Sequence, residues 1–227
     1  MNKYLISLLV IVVLIAASFW WRPSGGPPSP VHGLPWQIET LANGNTRVFG
    51  LELGHSTLGA ARARFGEDLE IGIIAARDET GALEVYFNSV TAGVIMGKMI
   101  LVAALNETTL AQLRARSSRK KYPDDTSYRY ILDPDDLPLA WRAPIATITF
   151  IPSTRIDAET VLKRFGRPQE RLRTIDQLEH FLYPEKGLDL ALDSKGKAIL
   201  QYVAPHEFAR LREPLRHSRV PTQTDMP

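Results

Sequence analysis

Residues 4–21 read YLISLLVIVVLIAASFWW, eighteen positions without a charge. As a helix this stretch would be about 27 Å long, close to the hydrocarbon thickness of a bilayer. Lys3 and Arg22 flank it, and Trp20 and Trp21 stand where an interfacial aromatic belt belongs. No charged residue lines either side, so a lipid environment fits better than a protein core. The stretch therefore predicts a transmembrane signal anchor over residues 1–22, with the N-terminus inside and the long C-terminal part translocated. The competing reading is a cleaved signal peptide at Ala16-Ala17-Ser18. The bulky Phe19-Trp20-Trp21 that follows disfavours it.

Residues 23–35, PSGGPPSPVHGLP, carry four prolines and three glycines before Leu34. Proline removes a backbone donor and glycine adds conformational freedom, so this is a spacer rather than helix or sheet interior. The globular part is expected to start near Trp36. Roughly 190 residues then remain, enough for one domain or two small ones with a real core. The chain has no cysteine. That excludes disulfides, thiolate metal sites, a cysteine nucleophile and a lipidated N-terminal cysteine. The net charge of +2 is too small to imply nucleic acid.

A short motif recurs with a shift of 100 residues. Residues 57–66 read TLGAARARFG and residues 157–166 read DAETVLKRFG. Leu58, Ala61 and Phe65 match Ala158, Val161 and Phe165 at the i, i+3, i+7 spacing of a buried helix face, and Leu162 adds an i+4 position. Thr57 and Asp157 suit the N-cap, and Gly66 and Gly166 suit the stop. Strands are predicted before each helix, over residues 46–53 and 145–151. After the first helix, Leu69, Ile71 and Ile73 alternate with polar or small residues, as do Leu83, Val85 and Phe87 with Glu84, Tyr86 and Asn88. After the second, residues 178–183, 188–192 and 198–203 read as an antiparallel meander, with Asp193-Ser194-Lys195-Gly196 as the hairpin turn.

A short helix ending in Phe-Gly-x-Pro, then His180-Phe181-Leu182-Tyr183 and the strand–turn–strand LDLALDSKGKAILQYV, resembles the small outer-membrane assembly lipoproteins of the SmpA/OmlA (BamE) type. Those share a fold with the β-lactamase inhibitor proteins, which carry the unit in tandem. The resemblance covers about residues 153–203 and, more weakly, 54–87. It implies a helix-on-sheet fold and a binding role, and it transfers no partner. The chain departs from the lipoproteins in lacking the lipidated cysteine and in carrying the motif twice.

Other segments carry less chemistry. Residues 92–105, AGVIMGKMILVAAL, hold a Gly-x-x-x-Gly spacing, but fourteen residues with Lys98 inside are too short for a membrane span. They read as buried strand with a turn at Gly97. Residues 106–118 read as a helix capped by Asn106. Arg114, Arg116, Arg119, Lys120 and Lys121 form a dense basic stretch. It is either a contact for anionic lipid or an acidic partner, or a solvated helix end. Asp124, Asp125, Asp133, Asp135 and Asp136 lack the glycine and spacing of a calcium loop. The histidines at 32, 55, 180, 206 and 217 share no metal-ligand spacing. His55 and Ser56 are adjacent in the chain but lie in no nucleophile elbow. A short helix is expected over residues 207–212 and disorder after Pro214.

Taken together, these features predict an α+β protein with a single transmembrane helix. Two related units follow, each with a short helix packed on an antiparallel meander sheet. The divisions are anchor 1–22, spacer 23–35, first unit 36–118, linker 119–143, second unit 144–205 and tail 206–227. The expected role is a non-enzymatic interaction or scaffold protein of the bacterial inner membrane, with its C-terminal part in the periplasm and an envelope protein as partner. No catalytic residue, cofactor or metal ligand is expected. The alternatives are an inhibitor or regulator of a periplasmic enzyme, and a small-ligand binder or enzyme. A sheet face left free by the meander would be the binding surface.

Overall fold

The computed structural model describes residues 31–76, 79–121, 127–218 and 220, and for 119–121 the backbone alone. The two motif helices form where their caps predict. Helix α1 spans Leu58–Phe65 and α4 spans Ala158–Phe165. Thr57 Oγ1 accepts from the Ala60 N–H at 3.1 Å, and Asp157 Oδ1 from the Thr160 N–H at 2.8 Å. Each side chain thereby satisfies a donor that the first turn leaves orphaned. Gly66 and Gly166 end the helices with φ of 99° and 85°, a region that a β-carbon disfavours. The remaining helices are α2 (Glu107–Arg116), α3 (Leu137–Arg142) and α5 (Ala209–Ser218).

The strands overturn the expected pair of related units. A three-stranded sheet is made by β1 (Glu39–Thr40), β2 (Thr46–Val48) and β3 (Leu51–Glu52). All other strands join one ten-stranded antiparallel sheet. In chain order they are β4 (Leu69–Ala76), β5 (Ala82–Ala92), β6 (Ile95–Ala103), β7 (Ser118–Lys121), β8 (Ser127–Ile131), β9 (Ile145–Pro152), β10 (Glu170–Arg173), β11 (Glu179–Tyr183), β12 (Leu188–Leu192) and β13 (Ala198–Val203). In space the order is β10-β11-β12-β13-β9-β6-β5-β4-β8-β7. Strand β9 explains the correction. It hydrogen-bonds β13 on one side and β6 on the other, so the strand that opens the second half also completes the first. The halves differ at their start too. Residues 46–53 break at Phe49 and Gly50, with φ of 55° and 76°, and form a small hairpin outside the main sheet. The molecule is thus mostly antiparallel sheet with short helices.

Three further corrections follow from the pairing. Gly97 is no turn: it lies inside β6 opposite Pro152, and the chain reverses between Ala92 and Ile95. Part of the stretch read as a linker supplies β7, β8 and α3. The tail forms α5 through Pro214, beyond the expected end at 212. Among the described residues no helix is long and apolar enough to cross a membrane. The segment 4–21, and with it the anchor 1–22, lies outside the described residues.

One sheet face holds the main core. Val85, Phe87, Met99, Leu101, Ile148, Phe150, Leu190 and Tyr202 on the strands are packed with Leu58, Ala61, Leu113, Ala140 and Val161 of α1–α4. Phe49 joins them, its ring 5.3 Å from Phe150 and 5.4 Å from Tyr202. Leu162, expected on the buried face of α4, is instead 41% exposed, because Val161 and Phe165 already fill the contact. On the opposite face a smaller core of Leu172, Leu182, Val203 and Phe208 is closed by Leu211 and Leu215 of α5. That helix covers the sheet only at its β10–β13 end.

Candidate functional site

Strand alternation sends every second side chain of β4, β5, β6 and β9 away from the main core. On that side the sheet carries cross-strand rows. One runs Glu70, Tyr86, Ile100, Thr149 and Gln201; the next runs Gly72, Glu84, Val102 and Thr147. Gly72 is buried, the other residues of these rows are half-buried or exposed, and none belongs to either core. The helices α1–α4 and the leading segment occupy the other face, and α5 is spent on the far strands. No other described residues cover this face.

A concavity of about 430 Å³ lies on it, lined by Glu70, Gly72, Ile74, Glu84, Tyr86 and Arg129 among others. Gly72 makes its floor. A β-carbon there would stand 2.9 Å from the Tyr130 carbonyl oxygen and 3.2 Å from Arg129 Nε, so Arg129 lies across the bare backbone. Its guanidinium pairs with the Glu70 carboxylate at the rim, and Nη2 donates to the Ile71 carbonyl at 3.4 Å. Tyr86 donates to Asn88 Oδ1 at 3.3 Å, and Lys98 Nζ lies 5.9 Å from its ring centre.

Glu84 differs from its neighbours. It is half-buried in the groove and has no hydrogen-bond or ion-pair partner among the described residues. Burial pushes its carboxyl pKa up, because the charged form loses water without gaining a compensating group. A carboxylate in this state has unused acceptor capacity facing the concavity. A cationic group brought into the groove would supply the missing partner.

Of the five basic residues singled out by sequence, Arg114 and Arg116 are engaged by other groups. Arg114 turns inward: its guanidinium donates to the Glu79 carbonyl and, at 2.8 Å, to Tyr130 Oη, and stands 4.6 Å from the Tyr130 ring centre. Arg116 grips the buried Asp136 with two N–H groups, Nε at 2.9 Å. That bond holds the Asp136 carboxyl below its usual range and pushes the Arg116 guanidinium up. Both residues thus tie α2 to its surroundings. Arg119, Lys120 and Lys121 lie on β7, the sheet edge, where only their backbone pairing with β8 is described. A basic edge strand discourages pairing with another sheet.

A second polar pair is buried under the α5 side of the sheet. His180 Nδ1 lies 3.0 Å from both carboxylate oxygens of Asp189, with side chains 7% and 2% exposed. No hydroxyl nucleophile is among its hydrogen-bond partners, so the pair reads as a satisfied structural contact within the described residues. No group of three or more His, Asp or Glu that could hold a metal occurs among the described residues.

Sequence reading missed the groove although it marked Glu84, Tyr86 and Asn88 as the outward set of β5. Alternation says only that these residues point away from the core. Whether that side is open, and how deep Glu84 sits, depends on Gly72 across the ladder and on Arg129 from a strand forty-five residues away. Comparison of the chain with protein-family models, with curated proteins and with solved structures finds no match.

Proposed function

We propose that the chain is a non-enzymatic interaction protein held at a membrane by residues 4–21, and that the uncovered sheet face around Glu84 docks a partner protein presenting a basic side chain. One observation carries this reading: a half-buried carboxylate with no partner among the described residues opens into a concavity on a sheet face that no described element covers. Charge complementarity favours a lysine or arginine, for which Glu84 gives an acceptor and Tyr86 a flat neighbouring surface. Ile74, Ile100 and Val102 add apolar area beside it, the mixture of an anchor and dry surroundings that interfaces use. The uncharged stretch and its Pro/Gly spacer support an envelope location, with the sheet domain on the outer side of a bacterial inner membrane. The resemblance over residues 153–203 agrees with a binding role.

The test is a photoreactive amino acid at Ile100 in the full chain, activated in native membranes. A discrete crosslinked species is expected. It should persist with Glu84→Asp and disappear with Glu84→Lys, which places a cation against the partner's cation. A crosslink indifferent to charge reversal, or none at all, would remove the groove as the docking surface.

A further inference from the structure

Among the described residues the three most exposed large apolar side chains are Val94 at 71%, Ile175 at 69% and Met96 at 56%. Topology places all three at one end of the sheet. Val94 lies in the reversal between β5 and β6, and Met96 follows it at the start of β6. Gly97 pairs with Pro152, so the end of β9 is beside them. Strand β13 starts there, β12 ends there, and β11 begins opposite the end of β12. The turn between β10 and β11, which carries Ile175, therefore lies at the same end. Between these apolar tips, in sheet order, come the exposed Lys195 and Lys197 of the β12–β13 turn and the exposed Arg155 after β9. The Ile156 N–H donates to the Gly196 carbonyl at 2.9 Å, which joins those two loops.

The leading segment of the domain is at this end as well. A β-carbon on Gly33 would stand 3.8 Å from the Gly93 nitrogen of the β5–β6 reversal. Beside it, an apolar groove of about 200 Å³ is lined by Trp36, Ile95, Pro152, Ile156, Phe165 and Leu200. The Arg164 guanidinium lies 4.7 Å from the Trp36 ring centre. Eleven chain links separate Trp21, the last residue of the uncharged stretch, from His32. They reach at most about 40 Å.

We infer that this end of the sheet domain rests on the bilayer interface, with Val94, Met96 and Ile175 entering the headgroup–acyl boundary and Lys195, Lys197 and Arg155 facing anionic lipid headgroups. Apolar tips on either side of a row of cations on adjacent loops match what an interfacial surface requires. Tryptophan with an arginine over its face suits the same depth. The short tether holds this end near the membrane and makes the weak contact effectively intramolecular. The inference rests on the reading of residues 4–21 as a membrane segment.

The chain has no cysteine, so single labels are unambiguous. Val94→Cys, Ile175→Cys and Glu185→Cys, the last in the turn after β11 at the opposite sheet end, would each carry a small fluorophore. The full-length protein would be reconstituted in phosphatidylcholine–phosphatidylglycerol vesicles with brominated acyl chains. Labels at 94 and 175 should be quenched several-fold more strongly than the label at 185. Met96→Asp should reduce the quenching at 94. Equal quenching at 94 and 185, in protein that stays with the vesicles on flotation, overturns the inference and leaves the anchor standing. Protein that fails to float with the vesicles overturns both.

Discussion

Replacing Gly97 with alanine would place a β-carbon 2.5 Å from the Ile151 carbonyl oxygen and 2.7 Å from two atoms of the Phe150 ring. Carbon–carbon contacts are ordinarily about 3.5–4.0 Å, so the intrusion is about 1 Å. It meets backbone of β9 on one side and a fully buried ring on the other. Phe150 cannot swing away, because Phe49 and the core face of β13 pack behind it. Overpacking of this kind costs about 1–3 kcal/mol. The loss of backbone freedom in the unfolded chain offsets about 0.4–1 kcal/mol of that. A net destabilisation of about 1–2 kcal/mol is expected, which for a domain of this size lowers the melting temperature by about 2–8 °C. Thermal unfolding of the full chain, followed by far-ultraviolet circular dichroism, reads the shift. Lys98→Ala on the exposed side of the same strand serves as control and should change stability by less than about 0.5 kcal/mol. Adding Phe150→Leu to Gly97→Ala should cost less than the sum of the single changes, since the smaller side chain makes room. An alanine variant as stable as the parent would mean that β6 and β9 do not pack in this register. The seam joining the two halves of the sheet would then be misplaced.

Glu84→Gln should stabilise the protein at neutral pH. Burial raises the carboxyl pKa in the folded state, so the folded protein holds its proton to higher pH than the unfolded chain does, and stability falls as pH rises through that window. Glutamine removes the dependence. Its advantage should be complete above the folded pKa and absent below the ordinary glutamate value in urea melts across pH; an advantage that persists at acid pH would contradict the burial argument. Thr57→Ala removes the acceptor for the Ala60 N–H and should cost about 0.5–2 kcal/mol in urea unfolding; an unchanged midpoint would show that α1 does not depend on its cap. Asp189→Ala strands His180 in a buried site and should cost about 1–3 kcal/mol. Asp189→Asn, which keeps an acceptor, should cost less, and the reverse order would argue against the hydrogen bond.

Local chemistry was legible where it is decided locally. Thr57, Asp157 and Asn106 announce helix starts because their side chains accept from residues three positions on, and all three do so in the structure. Gly66 and Gly166 announce helix ends for the same short-range reason. Alternation at residues 69–73 and 83–87 named the core side of β4 and β5, since a strand has only two faces. The uncharged run at residues 4–21 speaks through hydropathy alone.

What lay beyond reach was decided by pairing between distant residues. Two motif helices of like sequence implied two like units, but β9 carries hydrogen-bonding edges on both sides, and nothing in ITFIP says that β6 will take the second one. Gly97 resembled a turn because glycine fits both a reversal and a close approach; only the Phe150 ring and the Ile151 carbonyl decide between them. The cations at 114 and 116 looked free for a partner until Tyr130 and Asp136 arrived from later in the chain. Alternation gave Glu84 only an outward place on β5, and Gly72 and Arg129 decided how deep it sits. Each is a long-range contact, and side-chain burial is a property of the neighbours as much as of the residue.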